Sequence, residues 1–157
     1  MQTLSPIRFK PLWLSIAAVL LIAGMETLQP ALAASVCRIR VDTILAARND
    51  AGVDPQLGAH IGELQAMFAY TSYRLLSSKS LVLETGQSGI VDLPDDRRLK
   101  ITPQTVQGDR ADIVLQMLRR KRTVFQTQIQ LLNRGSLFVG GPEYRDGNLI
   151  FQISSVH

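Results

Sequence analysis

Two runs in the C-terminal half constrain most strongly what this chain can fold into. Ala111, Ile113, Leu115 and Met117 recur at every second position, and so do Phe125, Thr127, Ile129 and Leu131. A period of two puts each set on one face of a pleated strand. Joined across Arg119 to Arg122, the runs read as a hairpin with one buried face, and they are the leading candidates for the core.

Turn chemistry spreads the same pattern over most of the chain. Pro94-Asp95-Asp96, Gln107-Gly108-Asp109, Asn133-Arg134-Gly135 and Asp146-Gly147-Asn148 separate short candidate strands at 80–84, 89–93, 98–102, 111–118, 123–132, 136–139 and 149–154. Gly140-Gly141-Pro142 reads as a turn that ends a strand. Near the start, Cys37, Ile39 and Val41 alternate with Arg38, Arg40 and Asp42, which predicts a first strand from Val36 to Leu45 with one face in water.

One segment breaks the β pattern. Asp54-Pro55 sets a capping carboxylate ahead of a proline at the first helical position. Leu57, Ile61, Leu64 and Phe68 then follow at spacings of four, three and four, an apolar stripe that should pack on a sheet. The expected fold is mainly β within an α+β organisation: an antiparallel β-sandwich or partly open barrel carrying one N-terminal amphipathic helix at about 55–69. Neither a repeat at solenoid period nor a low-complexity tract interrupts it, so residues 34–157 are expected to form a single β-rich domain.

The N-terminal segment carries an address. Arg8 and Lys10 precede an apolar run from Leu12 to Met25, and Pro30-Ala31-Leu32-Ala33 offers small residues where a signal peptidase reads them. This is the pattern of a secretory signal peptide over residues 1–33, and the run is shorter than the about 20 residues that span a bilayer. The expected location is the periplasm or the exterior after cleavage, with no membrane span in the mature chain. A lipid anchor on Cys37 is disfavoured because Val36 stands where small residues are required. As the only cysteine, Cys37 has no internal disulfide partner, and burial in the first strand is its expected fate.

Cleavage after Ala33 would take 33 of the 157 residues and leave 124, enough for one real core. Arg8, Lys10 and Glu26 would leave with the leader, so fifteen cations would face twelve acids, a net charge of +3. That excess is too mild to imply nucleic acid.

The side chains that could carry chemistry are few. His60 and His157 are the only histidines, and the carboxylates show neither EF-hand nor His-x-x-x-His spacing, so neither a metal nor another cofactor is expected. His60, with Glu63 three residues on, reads as a surface histidine paired with its neighbour, and a hydrolase built on it is a remote alternative. No Gly-x-Ser-x-Gly elbow surrounds Ser88. Asp92, Asp95 and Asp96 border Pro94 and face Arg97 and Arg98, which is a charged turn rather than an acid pair.

Two surfaces remain as candidates. Arg119-Arg120-Lys121-Arg122, at the tip of the central hairpin, reads first as a solvated turn, and as a contact surface it could meet a partner protein or an anionic lipid or polysaccharide surface. Gln126, Gln128 and Gln130 beside it supply no aromatics for nucleotide stacking. The second is the helix-to-strand junction, Phe68 to Arg74, whose aromatics read first as core packing with wet hydroxyl tips; a small-ligand pocket, if the chain has one, belongs here, where Tyr70, Tyr73 and Arg74 combine apolar area with orienting hydrogen bonds.

Several stretches resemble a poorly characterised group of small exported bacterial β-rich proteins: Val41-Asp42-Thr43-Ile44-Leu45-Ala46, Phe68 to Leu76, Leu93-Pro94, Arg98 to Pro103, Gly140-Gly141-Pro142 and Gly147-Asn148-Leu149-Ile150. The resemblance implies export and a β-rich body, and attaches no activity or cofactor. The final hairpin is also similar to Gly-Gly-containing strands of outer-membrane secretins. The expected function is a non-enzymatic accessory or interaction module of the cell envelope with an envelope protein partner, and the alternative is a small-ligand-binding periplasmic protein.

Overall fold

The computed structural model describes Ser35–His157, and the expected leader lies outside these residues. Eight strands form two four-stranded antiparallel sheets that are not closed into a barrel, so the fold is a β-sandwich. The strands are β1 (Val36–Ala47), β2 (Ser72–Glu84), β3 (Gly89–Leu93), β4 (Arg97–Gln107), β5 (Arg110–Arg119), β6 (Arg122–Leu132), β7 (Ser136–Tyr144) and β8 (Gly147–Val156). One sheet runs β2-β1-β8-β7, and the other is the meander β3-β4-β5-β6. Pairing of β1 with β8, from Arg38 opposite Val156 to Ala47 opposite Gly147, brings the two ends of the described chain into one sheet.

The inner faces meet as the alternation predicts. Cys37, Ile39, Val41, Leu149, Phe151 and Ile153 from the first sheet pack on Leu99, Ile101, Ile113, Leu115, Met117 and Leu131 from the second. Each such aliphatic side chain taken from water contributes about 1.5–3 kcal/mol. Among the described residues no helix is long and apolar enough to cross a membrane.

A second apolar cluster lies on the outer face of the first sheet. Leu57 and Leu64 bury against Ile44, Ala46, Phe138 and Ile150, with Tyr73 among them. This explains why β1 loses its alternation after Asp42: from Thr43 to Ala47 every residue is buried, because core covers one face and the helical segment the other. The same demand extends β1 to Ala47, two residues past the predicted end.

The helical segment is divided. Pro55–His60 is a 3-10 turn, capped by the Asp54 carboxylate, which accepts from the Gln56 N–H at 3.0 Å; α1 is the short helix Ile61–Met67 that follows. The predicted stripe is the buried one, but the helix ends at Met67, where the chain turns into β2.

Three other sequence readings are corrected. Gly140-Gly141-Pro142 lies inside β7, at a register shift between Gly140 and Glu143, and Pro103 lies inside β4 at another. Proline is tolerated at such irregularities because the displaced residue gives up its place in the ladder. The polar run Ser77-Ser78-Lys79-Ser80 belongs to β2, which begins at Ser72 rather than Ser80: β2 is an edge strand, exposed along its middle and held by pairing with β1.

Candidate functional site

At the helix-to-β2 junction, Tyr70, Tyr73 and Arg74 are neighbours with different employments. Tyr73 is buried, and its hydroxyl donates to the carbonyl oxygens of Phe68 at 2.9 Å and Leu64 at 3.3 Å. Its phenol is pushed up from the ordinary tyrosine range by burial. Tyr70 donates to Asn148 Oδ1 at 2.9 Å, under the guanidinium of Arg48, which lies 5.8 Å from the ring centre and donates through Nε to the Ala69 carbonyl. These contacts fasten the junction to the sheet. Arg74 alone is exposed, at the margin of an open cleft of about 370 Å³ formed by residues 51–55 and 72–74.

At the β5–β6 hairpin the arrangement is of another kind. Arg119 and Arg122 are directly paired, and the two-residue turn between them, Arg120 and Lys121, has φ values of 47° and 69°. Such a turn suits Asn-Gly, since only small residues enter the left-handed region without strain. A bulky side chain there costs about 1–2 kcal/mol per residue. Like charges directly opposite one another on paired strands add a further cost. Residues other than glycine also take positive φ in the β3–β4, β6–β7 and β7–β8 turns, at Asp95, Asp96, Arg134 and Arg145, whereas the β4–β5 turn has Gly108 at φ 60°; what sets the β5–β6 turn apart is two long cations in succession.

The ion pairs among the described residues are Arg40–Asp42 and Arg97–Asp95, so none compensates residues 119–122. Arg119, Arg120 and Arg122 line an open concavity of about 610 Å³ together with Val124. Val124 and Phe125 are 58% and 45% exposed. Sequence reasoning placed Phe125 in the core from its alternation with Ile129 and Leu131. It stands clear because β6 is an edge strand whose first five residues are all exposed, and a register shift at Met117/Leu118 leaves Val124 without a partner. Nothing in the alternation distinguishes a covered strand position from one that runs past its cover. Chemically, three guanidiniums beside an apolar side chain suit a phosphate- or carboxylate-bearing amphiphile.

The remaining candidates have structural partners. The ring of His60 meets Phe138 edge-on with centres 6.1 Å apart, and no His60–Glu63 ion pair occurs among the described residues. Ser88 and Thr102 share a hydroxyl hydrogen bond of 2.8 Å. Arg97 approaches Asp95 at 3.7 Å and donates to the Glu143 carbonyl at 3.0 Å, which places the β3–β4 and β7–β8 turns at the same end of the sandwich. Cys37 is fully buried, and burial pushes its thiol up. Among the described residues no three of His, Cys, Asp and Glu gather as a metal site. No protein-family model, curated protein or solved structure matches the chain.

Proposed function

We propose that this protein is an exported, non-enzymatic accessory module of the cell envelope, acting after leader cleavage by contact with another envelope component. One observation carries the proposal: the β5–β6 hairpin gathers four cations on a strained turn, with no ion pair to them among the described residues, beside exposed Val124 and Phe125. Four adjacent like charges without an ion pair among the described residues are a local cost, and a local rule broken without internal compensation is characteristic of a working surface.

The test is paired capture from native envelope fractions, using the 34–157 segment and the same segment with residues 119–122 changed to glutamine. Specific retention by the first, weakening as salt rises, and its loss in the second are expected. Equal retention by both would contradict the proposal.

The open cleft beside Arg74 favours a second reading, a small-ligand site at the junction. It predicts a thermal shift with a metabolite or glycan that Arg74→Ala abolishes. Persistence of the shift in that variant would remove the site from this cleft.

A further inference from the structure

We infer that the partner met by the β5–β6 hairpin end is the surface of an anionic phospholipid bilayer, an assignment that rests on the surface-contact function proposed above. Recognition would combine phosphate groups on Arg119, Arg120, Lys121 and Arg122 with insertion of Val124 and Phe125 into the boundary between headgroups and acyl chains.

Four features favour this partner. The four cations outnumber Asp95 and Asp96 of the neighbouring β3–β4 turn, of which Asp95 lies by Arg97, and they are spread over a two-residue turn and its flanking pair, so a sheet of phosphates can engage all four where a single small anion engages one or two. Next, Val124 shares its concavity with three arginines, which calls for a ligand whose anionic and apolar parts adjoin. A free phosphate would leave Val124 and Phe125 wet. Third, the cations have long apolar stems that can lie along the boundary while their heads stay with the phosphates. Finally, Arg122 to Gln126 are exposed without interruption, so no other part of the sandwich covers the residues that would meet the bilayer.

Both apolar clusters lie wholly within Cys37–Ile153, so the 34–157 segment holds its own core and is suited to vesicle sedimentation. It is expected to sediment with phosphatidylcholine vesicles containing phosphatidylglycerol and to stay in solution with phosphatidylcholine alone. Each cation changed to glutamine should lower the partition by about fivefold. Phe125→Ser should weaken binding while leaving its salt dependence unchanged.

The turn variant Arg120→Asn with Lys121→Gly separates binding from folding. It relieves the backbone strain, so its thermal midpoint should rise while its partition falls about 25-fold, as two lost cations require. Absence of sedimentation by the parent, or undiminished sedimentation of either the glutamine or the turn variant, would overturn the assignment. Displacement from vesicles by glycerol phosphate at matched phosphate concentration would show a simple anion site, and would overturn it too. Binding to soluble polyglutamate but not to vesicles would overturn the lipid assignment while leaving the surface-contact function standing.

Discussion

The Tyr73 hydroxyl donates to the Phe68 carbonyl oxygen at 2.9 Å, so the start of β2 holds the end of α1. Tyr73→Phe should therefore cost about 1 kcal/mol, the net value of one such bond. The variant should also be less sensitive to alkali. Burial raises the Tyr73 phenol in the folded state, whereas the unfolded chain releases that proton near pH of about 10. Above that pH the native state binds more protons, and stability falls until the folded phenol ionises. Urea midpoints at neutral and alkaline pH should converge for parent and variant as pH rises; a gap that widens would be inconsistent with this role.

Thr43 is fully buried in β1, and its hydroxyl has no hydrogen-bond partner among the described residues. Removing a buried polar group that makes no bond relieves its desolvation cost. Thr43→Val should be neutral or stabilising by up to about 1 kcal/mol in urea unfolding. A loss of that size would mean the hydroxyl is satisfied after all.

Cys37 lies in the sandwich core with its thiol pushed up by burial, and both facts protect it, since the thiolate is the reactive form. Native protein should resist iodoacetamide, and labelling should track unfolding across a urea titration. Rapid complete labelling in native buffer would show that β1 opens locally.

Gly147→Ala would drive a methyl group into the Ala46 carbonyl oxygen, and Gly141→Ala would bring one within 2.7 Å of Phe151. Each should lose about 1–3 kcal/mol, the usual cost of overpacking. A methyl group added at Gly62 in α1 would meet nothing within 4 Å, so Gly62→Ala should gain about 0.5–1 kcal/mol. Thermal unfolding of the three variants checks the contrast.

The strands with a covered face were legible in the sequence because one-sided burial writes itself as alternation: Cys37-Ile39-Val41 and Ala111 to Met117 face the core as expected. The Leu57, Ile61, Leu64 and Phe68 stripe was legible for the same reason at helical spacing. What escaped was set by tertiary pairing. The polar half of β2 is a strand because β1 lies beside it, and the glycines and prolines inside β4 and β7 fall at register shifts rather than turns. Of the candidate surfaces, the cationic run was visible as residues, but the strain at Arg120 and Lys121 and the exposure of Val124 and Phe125 required the fold. Tyr73 packs in the core, as the aromatic content of the junction suggests, but the engagement of its hydroxyl by the helix end required the fold.

The most direct test of the account is hydrogen exchange of the 34–157 segment, compared with and without native envelope membranes. A working surface at the hairpin end predicts slowed exchange confined to Arg119–Phe125, with the junction at Tyr70–Arg74 unchanged. Protection at the junction alone, or none anywhere when membranes are in excess, would contradict it.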